Sequence, residues 1–525
     1  MQTRLLAALA AASAIAAAPL GAQQQTRAAA PRPTLVILFT VDQLAPLYFE
    51  RYGDQLDGGF ARLYRQGAVL LNGWQDHAIT ETAPGHASTL SGRFPRSTGI
   101  VMNDSGVPDP RARFIGGGSS PASPFRFRGT TLTDWMRFAN PRTRALSVSR
   151  KDRGAILPLG RAHEEVYWYN WKGGFSTSDY YHDTLPDWVK SFNALRIPQS
   201  MAGREWNLSR DPSLYPEPDS TRFERGGTKN AFPYWLPAND SLAAASFGDF
   251  PWMDDLTLSF ALAGVRALEL GAGPTTDVLA VSLSTTDRIG HSFGPDSREA
   301  HDQFLRLDRA LGAFLDSLFA LRDSTRIVIA LTGDHGITPL PSSATGAMHV
   351  QVSSLLGSFR QAIAARGASA SSIALAEGVL TLARDTLAAH GIRADSLLRA
   401  MVASIRATPG VLRVDDARTL ARADTVRDAI ARRWRHQLPA DVRWDALVTL
   451  RPGTRWGSAD DTDASHGSPH DTDARVPIIF WGQAFRAGLR RENARVVDIA
   501  PTLAVVLGVR PMERLDGRPL SFILR

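Results

Sequence analysis

Asp42, Asp287 with His291, Asp334 with His335, and His466 are the residues of this sequence best suited to hold a metal. Each lies beside an apolar run. Asp42 follows 34–41, Asp287 and His291 follow 277–283, Asp334 and His335 follow 326–331, and His466 precedes 476–480. Thr82 opens a fifth stretch, Thr82-Ala83-Pro84-Gly85-His86, which reads as a tight turn running into a helix. Carboxylate, imidazole and hydroxyl groups are nitrogen and oxygen ligands that suit zinc or harder cations. The chain has no cysteine, so thiolate sites and cysteine nucleophiles are excluded. A zinc-type site takes three or four such ligands. The candidates Asp42, Thr82, Asp287, His291, Asp334, His335 and His466 therefore divide naturally into two sites.

Each residue also has a plainer reading. An Asp at a strand end commonly caps the next helix, and a hydroxyl at a helix mouth does the same. Thr82 can instead be a nucleophile, because free N–H groups and the helix dipole favour an incoming anion. Asp287 and His291 are four apart, the spacing of one helix face, although the sequence around them reads as a turn. His77, His86 and His470 compete with His466 as ligands. The site is preferred because the plain readings must all hold independently, whereas the strand ends would converge on one sheet edge.

The elements that must position these groups follow from the same runs. Continuous apolar, β-branched segments at 34–41, 277–283 and 326–331 read as strands buried on both faces. Further strands are expected at 68–71, 145–149 and 476–480, and helices at 60–66, from 82 to about 92, at 297–321 and from 497. Strands alternating with helices predict an α/β, doubly wound, mostly parallel sheet covered by helices on both faces. Two insertions of cap type are expected, at about 104–270 and 345–460. Within the first, residues 160–250 are rich in Trp, Tyr and Pro and read as a cap over the sheet face. Residues 345–450 are rich in Ala, Arg and Leu and read as mostly helical. There is no internal repeat.

The 525 residues are 44% hydrophobic and 21% charged, ordinary for a globular protein. Arg4, an apolar run over 5–17 and small residues before Gln23 read as a secretory signal peptide, 1–22, cleaved near Ala22. That leaves 23–525 as the catalytic domain. The apolar run is shorter than the ~20 residues of a spanning helix, so no stable membrane anchor is expected after cleavage, and the location is periplasmic or secreted. The net charge of +7 favours anionic substrates, and no basic tract interleaved with aromatics points to nucleic acid.

Taken together, Val41-Asp42-Gln43, Thr82-Ala83-Pro84-Gly85-His86, Thr286-Asp287-Arg288-Ile289-Gly290-His291, Gly333-Asp334-His335-Gly336, His466-Gly467-Ser468-Pro469 and Asp498-Ile499-Ala500-Pro501-Thr502 resemble the alkaline phosphatase superfamily. More narrowly, they resemble its secreted bacterial alkaline phosphatases with a threonine nucleophile. The resemblance runs from about 34 to 520. It implies two zinc ions, one held by Asp42, Thr82, Asp334 and His335, the other by Asp287, His291 and His466. It implies a phosphothreonine intermediate at Thr82, and Thr at that position argues against the sulfatase branch. Asn103 and the pair Lys151 and Arg153 match the family's grip on phosphoryl oxygens, and Lys151 is one of only four lysines. Two cations and an amide suit a monoester dianion, so small phosphate monoesters are the expected substrates. The alternatives are a nucleotide pyrophosphatase/phosphodiesterase with the same metals and nucleophile, and a phosphate- or metal-binding protein without turnover.

Overall fold

Every residue of strand β1 (Leu35–Val41) is buried, because successive side chains point to opposite faces and both faces are covered. A computed structural model of the chain describes residues 32–117, 120–221, 224–339, 348–457 and 464–525. The expected signal peptide lies outside the described residues. The central sheet has eight further strands: β2 (Ala68–Trp74), β3 (Ala145–Ser149), β4 (Glu165–Asn170), β5 (Gly174–Ser176), β6 (Asp277–Leu283), β7 (Ile327–Gly333), β8 (Ile478–Trp481) and β9 (Gly488–Arg495). Their order is β9-β2-β8-β7-β1-β6-β3-β4-β5.

Strands β7, β1, β6, β3 and β4 run parallel. Strand β8 runs antiparallel between β7 and β2. The carboxyl ends of β2, β7, β1, β6 and β3 therefore meet the amino end of β8 along one edge. The sheet is mostly parallel, as the apolar runs predicted.

The sheet's helices are α1 (Gly59–Gln66), α2 (Thr82–Ser91), α3 (Trp252–Ala267), α4 (Thr285–Phe293), α5 (Arg298–Leu321) and α7 (Ile499–Leu507), while α6 (Ala429–Gln437) belongs to the region expected as the second insertion. Ile37, Phe39, Leu279, Val281, Ile329 and Leu331 face a core completed by Phe60, Phe260, Phe304 and Leu315 of α1, α3 and α5. The alternate residues Val36, Leu38, Val278, Ala280, Val328 and Ala330 face a second core with Ala87 and Leu90 of α2 and Leu503 of α7. Helices thus cover both faces.

The two regions expected as insertions differ. Trp206, Tyr215, Tyr234 and Phe250 of the first join the core on the α5 side. The second is not mostly helical. It contains a four-stranded antiparallel sheet, in the order Ile373–Ala376, Val379–Leu382, Ala446–Leu450, Val411–Asp416. Helices Val352–Ala364 and Ala394–Arg406 pack on it around Leu356, Ile373, Leu380, Met401 and Val448. Ala374 and Ala376 hide the strand alternation behind good helix formers. The hairpin turn is Glu377-Gly378, both at positive φ, where Asn-Gly is the usual signal.

Candidate active site

Register fixes the floor of the site. Val41 pairs with Gly333 across β1 and β7, so Asp42 and Asp334 leave the sheet side by side. Gln43 then takes a left-handed φ of 65°. This turns its N–H onto Asp334 Oδ1 at 3.0 Å and its amide Nε2 onto Asp287 Oδ1 at 3.0 Å. Two glycines permit the closeness. A Cβ on Gly290 would lie 1.8 Å from Gln43 Oε1, and one on Gly85 would lie 2.2 Å from the Asp334 carbonyl oxygen. Gly85 thereby lets α2 settle against the end of β7.

Asp287 and His291 lie on helix α4, not in a turn, and the four-residue spacing brings His291 Nε2 to 3.2 Å from Asp287 Oδ1. His466 Nε2 lies 3.5 Å from the same oxygen. His335 Nε2 is 3.4 Å from Asp42 Oδ1 and 3.5 Å from Asp334 Oδ2. Asp287, His291 and His466 form one close group of possible ligands, and Asp42, Asp287 and His335 form another. Asp287 therefore stands in both groups, where the family resemblance assigns it to one.

Thr82 is 1% exposed and is the first residue of α2. It does not cap the helix. Glu81 holds the cap position, and the Thr82 hydroxyl accepts from Lys151 Nζ at 3.3 Å. Lys151 Nζ also pairs with Asp42 Oδ2 at 2.6 Å and Asp287 Oδ2 at 2.5 Å. Asn103 takes the Ala83 N–H on its Oδ1 at 2.9 Å and gives its own N–H to Glu81 Oε2 at 2.6 Å. Thr82, Asn103, Lys151, Arg153, Asp287, His291 and His466 all line one cleft of about 300 Å³.

Of the competing histidines, His86 touches the floor of the site, its Nδ1 3.2 Å from Asp334 Oδ2, and the other two stand apart. His86 donates to the Thr82 carbonyl at 2.9 Å and accepts from Ser282 Oγ at 2.8 Å. His470 donates from Nε2 to the Leu450 carbonyl at 2.8 Å. His77 is fully buried and belongs to neither ligand group.

Residues 36–378 match the family described as type I phosphodiesterase / nucleotide pyrophosphatase. The alkaline phosphatase PhoV of Synechococcus elongatus is 30% identical over 94% of this chain and 93% of its own. The alkaline phosphatase PafA of Elizabethkingia meningoseptica is 27% identical over 96% of each chain. Wild-type PafA superposes with a TM-score of 0.86 at 26% identity, covering 94% of this chain and 99% of PafA. A PafA variant replaced at a Thr, an Asn, a Lys and an Arg gives 0.87 at 27% identity, with the same coverage. The chain belongs to the alkaline phosphatase superfamily. It is an enzyme, an alkaline phosphatase.

The donor set of this alkaline phosphatase fits metal ions. Each of the three imidazoles gives its Nδ1 to a backbone carbonyl: His291 to Ala464 at 2.6 Å, His335 to Gly336 at 2.9 Å and His466 to Thr80 at 2.9 Å. Those bonds place the proton on Nδ1 and turn Nε2 inward as a lone pair, the arrangement of ligating histidines. Asp42 Oδ1, Asp334 Oδ2 and His335 Nε2 are buried without a hydrogen bond of good geometry. Such groups are costly to bury unless something pairs with them.

Electrostatics agree. Burial pushes Asp42 up and Asp287 adds to the push, yet Lys151 and His335 hold it below the usual carboxylate range. Asp287 is also held low, against burial, by Lys151, His291 and His466. His335 and His466 stack at 3.6 Å. Against burial, Asp334 and Asp42 raise His335 to about 9, while burial and His335 push His466 down to about 4. A divalent cation and a proton therefore compete for His335.

The cleft's outer wall comes from the second insertion and includes Glu377, Trp434, Leu450, Arg455 and Trp456. Among the described residues, none lining the cleft comes from 160–250. Burial and the charge of Glu81 push Glu377 up to about 7. Glu377 carries no motif of its own, and only its hairpin brings it to the cleft.

Proposed function

We propose that this alkaline phosphatase hydrolyses phosphate monoesters through a phosphothreonine at Thr82. The observation that carries the reading is the placing of the buried Thr82 hydroxyl. It stands at the first residue of α2, 3.3 Å from Lys151 Nζ, at the end of the cleft where the Asp and His groups converge. A helix N-terminus favours the negative charge that builds there.

Asp42, Thr82, Asp334 and His335 would hold one zinc ion and Asp287, His291 and His466 the other. Bound zinc would lower the pKa of a hydroxyl or water and neutralise charge on the leaving oxygen. The Thr82 hydroxyl gives its proton to water and its oxygen attacks phosphorus in line, the ester P–O bond breaks, and the leaving oxygen takes a proton from water. Water then attacks the phosphothreonine from the opposite side, phosphate departs, and the Thr82 oxygen is restored, so phosphorus keeps its configuration.

Asn103 has its Oδ1 occupied by the Ala83 N–H, which leaves its NH2 group to donate to a phosphoryl oxygen. Lys151 and Arg153 supply two positive charges at that end of the cleft. A monoester dianion carries more charge on those oxygens than a diester, so it gains more from the pair. The PafA variant, replaced at the same four residue types in the same order, supports treating them as a set. A diesterase with the same nucleophile is the second reading, favoured by the family match over 36–378.

Thr82→Ala should lower kcat/KM at least about 10³-fold while zinc content by elemental analysis stays near two per chain. A variant with parental activity contradicts the nucleophile. Chelation should abolish activity and zinc should restore it better than magnesium. Residues 1–22 would direct export to the periplasm or beyond, and the exported protein should begin near Gln23.

A further inference from the structure

Helix α6 lies in the second insertion, more than 300 residues from Thr82 in sequence, yet its buried polar side chains reach the loops that carry the active site. Gln437 is fully buried. Its Oε1 accepts from the Ile79 N–H at 3.0 Å, and its Nε2 donates to the Val101 carbonyl at 2.5 Å. Ile79 stands three residues before Thr82, and Val101 two residues before Asn103. One amide therefore ties the approach to Thr82 to the approach to Asn103.

Four residues earlier, on the same helix face, Arg433 is 2% exposed. It donates to the Pro469 carbonyl at 2.6 Å and pairs with Asp471 Oδ1 at 2.8 Å and Asp76 Oδ1 at 3.6 Å. Pro469 belongs to the loop that carries His466, and Asp471 opens the short helix that follows it. Asp76 begins the loop that ends at Thr82 and is held also by Arg432 at 3.0 Å.

Around these bonds lies a separate apolar cluster. Ala78 and Ile79 of the Thr82 loop pack with Ala431 and Trp434 of α6 and with Val379 and Leu447 of the insertion's sheet, and Met102 packs against them. That cluster alone would attach the insertion. A buried Arg and a buried Gln add desolvation cost, and replacing such groups by apolar residues is often neutral or stabilising. Directional bonds to three separate loops do something that apolar packing cannot, which is to set where those loops stand relative to one another.

We propose that α6 is a positioning element of the catalytic site, with Gln437 acting through Asn103 and Arg433 acting through the His466 loop. The proposal rests on the roles given above to Thr82, Asn103 and His466. It gives the second insertion a task other than covering substrate.

A double-mutant cycle on the zinc-loaded full chain tests the first arm. Gln437→Leu should lower kcat/KM for p-nitrophenyl phosphate about 10- to 100-fold, the usual cost of losing a group that orients another. In the Asn103→Ala background the same substitution should cost less than about 3-fold. Equal losses in both backgrounds overturn the inference and mark Gln437 as merely structural. If Asn103→Ala alone leaves kcat/KM unchanged, the role of Asn103 falls, and the Gln437 arm with it. Gln437→Met replaces Gln437→Leu if the latter does not fold.

Metal content reads the second arm. Under a chelator challenge that leaves two zinc ions on the parent and on Gln437→Leu, Arg433→Met should fall towards one per chain, and Arg433→Lys should recover part of the loss. Retention of both ions by Arg433→Met overturns that arm.

Discussion

Residues 160–250 carry Trp206, Tyr215, Tyr234 and Phe250, whereas the segment that walls the cleft, 348–457, is rich in Ala, Arg and Leu. By composition the aromatic segment is the more obvious substrate cap. Its rings instead fill the core on the α5 side, and its polar tips fasten it there. Trp206 Nε1 donates to Asp302 at 2.7 Å, the Tyr215 hydroxyl donates to Asp302 at 2.9 Å, and the Tyr234 hydroxyl donates to Glu299 at 2.6 Å. The plainer segment supplies Glu377, Trp434 and Trp456 to the cleft and holds the catalytic loops through α6. Aromatic density records how much surface a segment must bury. It does not record which surface faces a substrate.

The contrast predicts that stability and catalysis separate between the two segments. Trp206→Ala should cost about 3–5 kcal/mol of stability in denaturant titration. Its kcat/KM should stay within about 2-fold of the parent wherever it is folded. A large loss of catalysis with little loss of stability would break the contrast.

Glu299 sharpens it by pH. Burial, then the charges of Glu224 and Asp219, raise this carboxyl from 4.5 to about 8 against its bond from Tyr234. The folded chain keeps that proton where the unfolded chain has released it. Its contribution is therefore fully present below about pH 4.5 and is lost as pH rises through about 8. Melting temperature should fall over that window in the parent and fall less in Glu299→Gln, with the pH profile of kcat the same in both.

On the other segment, Trp456→Ala should raise KM for an aryl phosphate about 3- to 10-fold and change stability by less than about 1 kcal/mol. The smallest effect belongs to Trp235, which is 59% exposed. Trp235→Ala should move stability by less than about 0.5 kcal/mol and leave kcat/KM unchanged.

The floor of the site was legible because its chemistry is concentrated at strand ends. Buried strands announce themselves as apolar runs, and Asp42, Asp287 and Asp334 follow three of them that proved adjacent in the sheet. The stretch around Asp287 and His291 reads as a turn because Gly290 is a poor helix former, yet the helix runs through it and its lack of a Cβ admits Gln43. Gln43 itself gave no sign, since a left-handed φ on a glutamine has no sequence signature. Gln437 and Arg433 were invisible for another reason. The Gln437 side chain bonds only to residues more than 300 positions away, Arg433 bonds to Asp76 at a similar separation and to Pro469 36 positions on, and nothing local to an Arg-rich helix marks two of its polar side chains as buried. The antiparallel sheet behind them was hidden by alanines in its strands and by a Glu-Gly turn.

The central claim is that the Thr82 site prefers a phosphoryl dianion. On zinc-loaded protein, kcat/KM for p-nitrophenyl phosphate should exceed that for bis-p-nitrophenyl phosphate by at least about 100-fold, and replacing both Lys151 and Arg153 by Ala should narrow the ratio by at least about 10-fold. Equal rates, or faster cleavage of the diester by the parent enzyme, would contradict it.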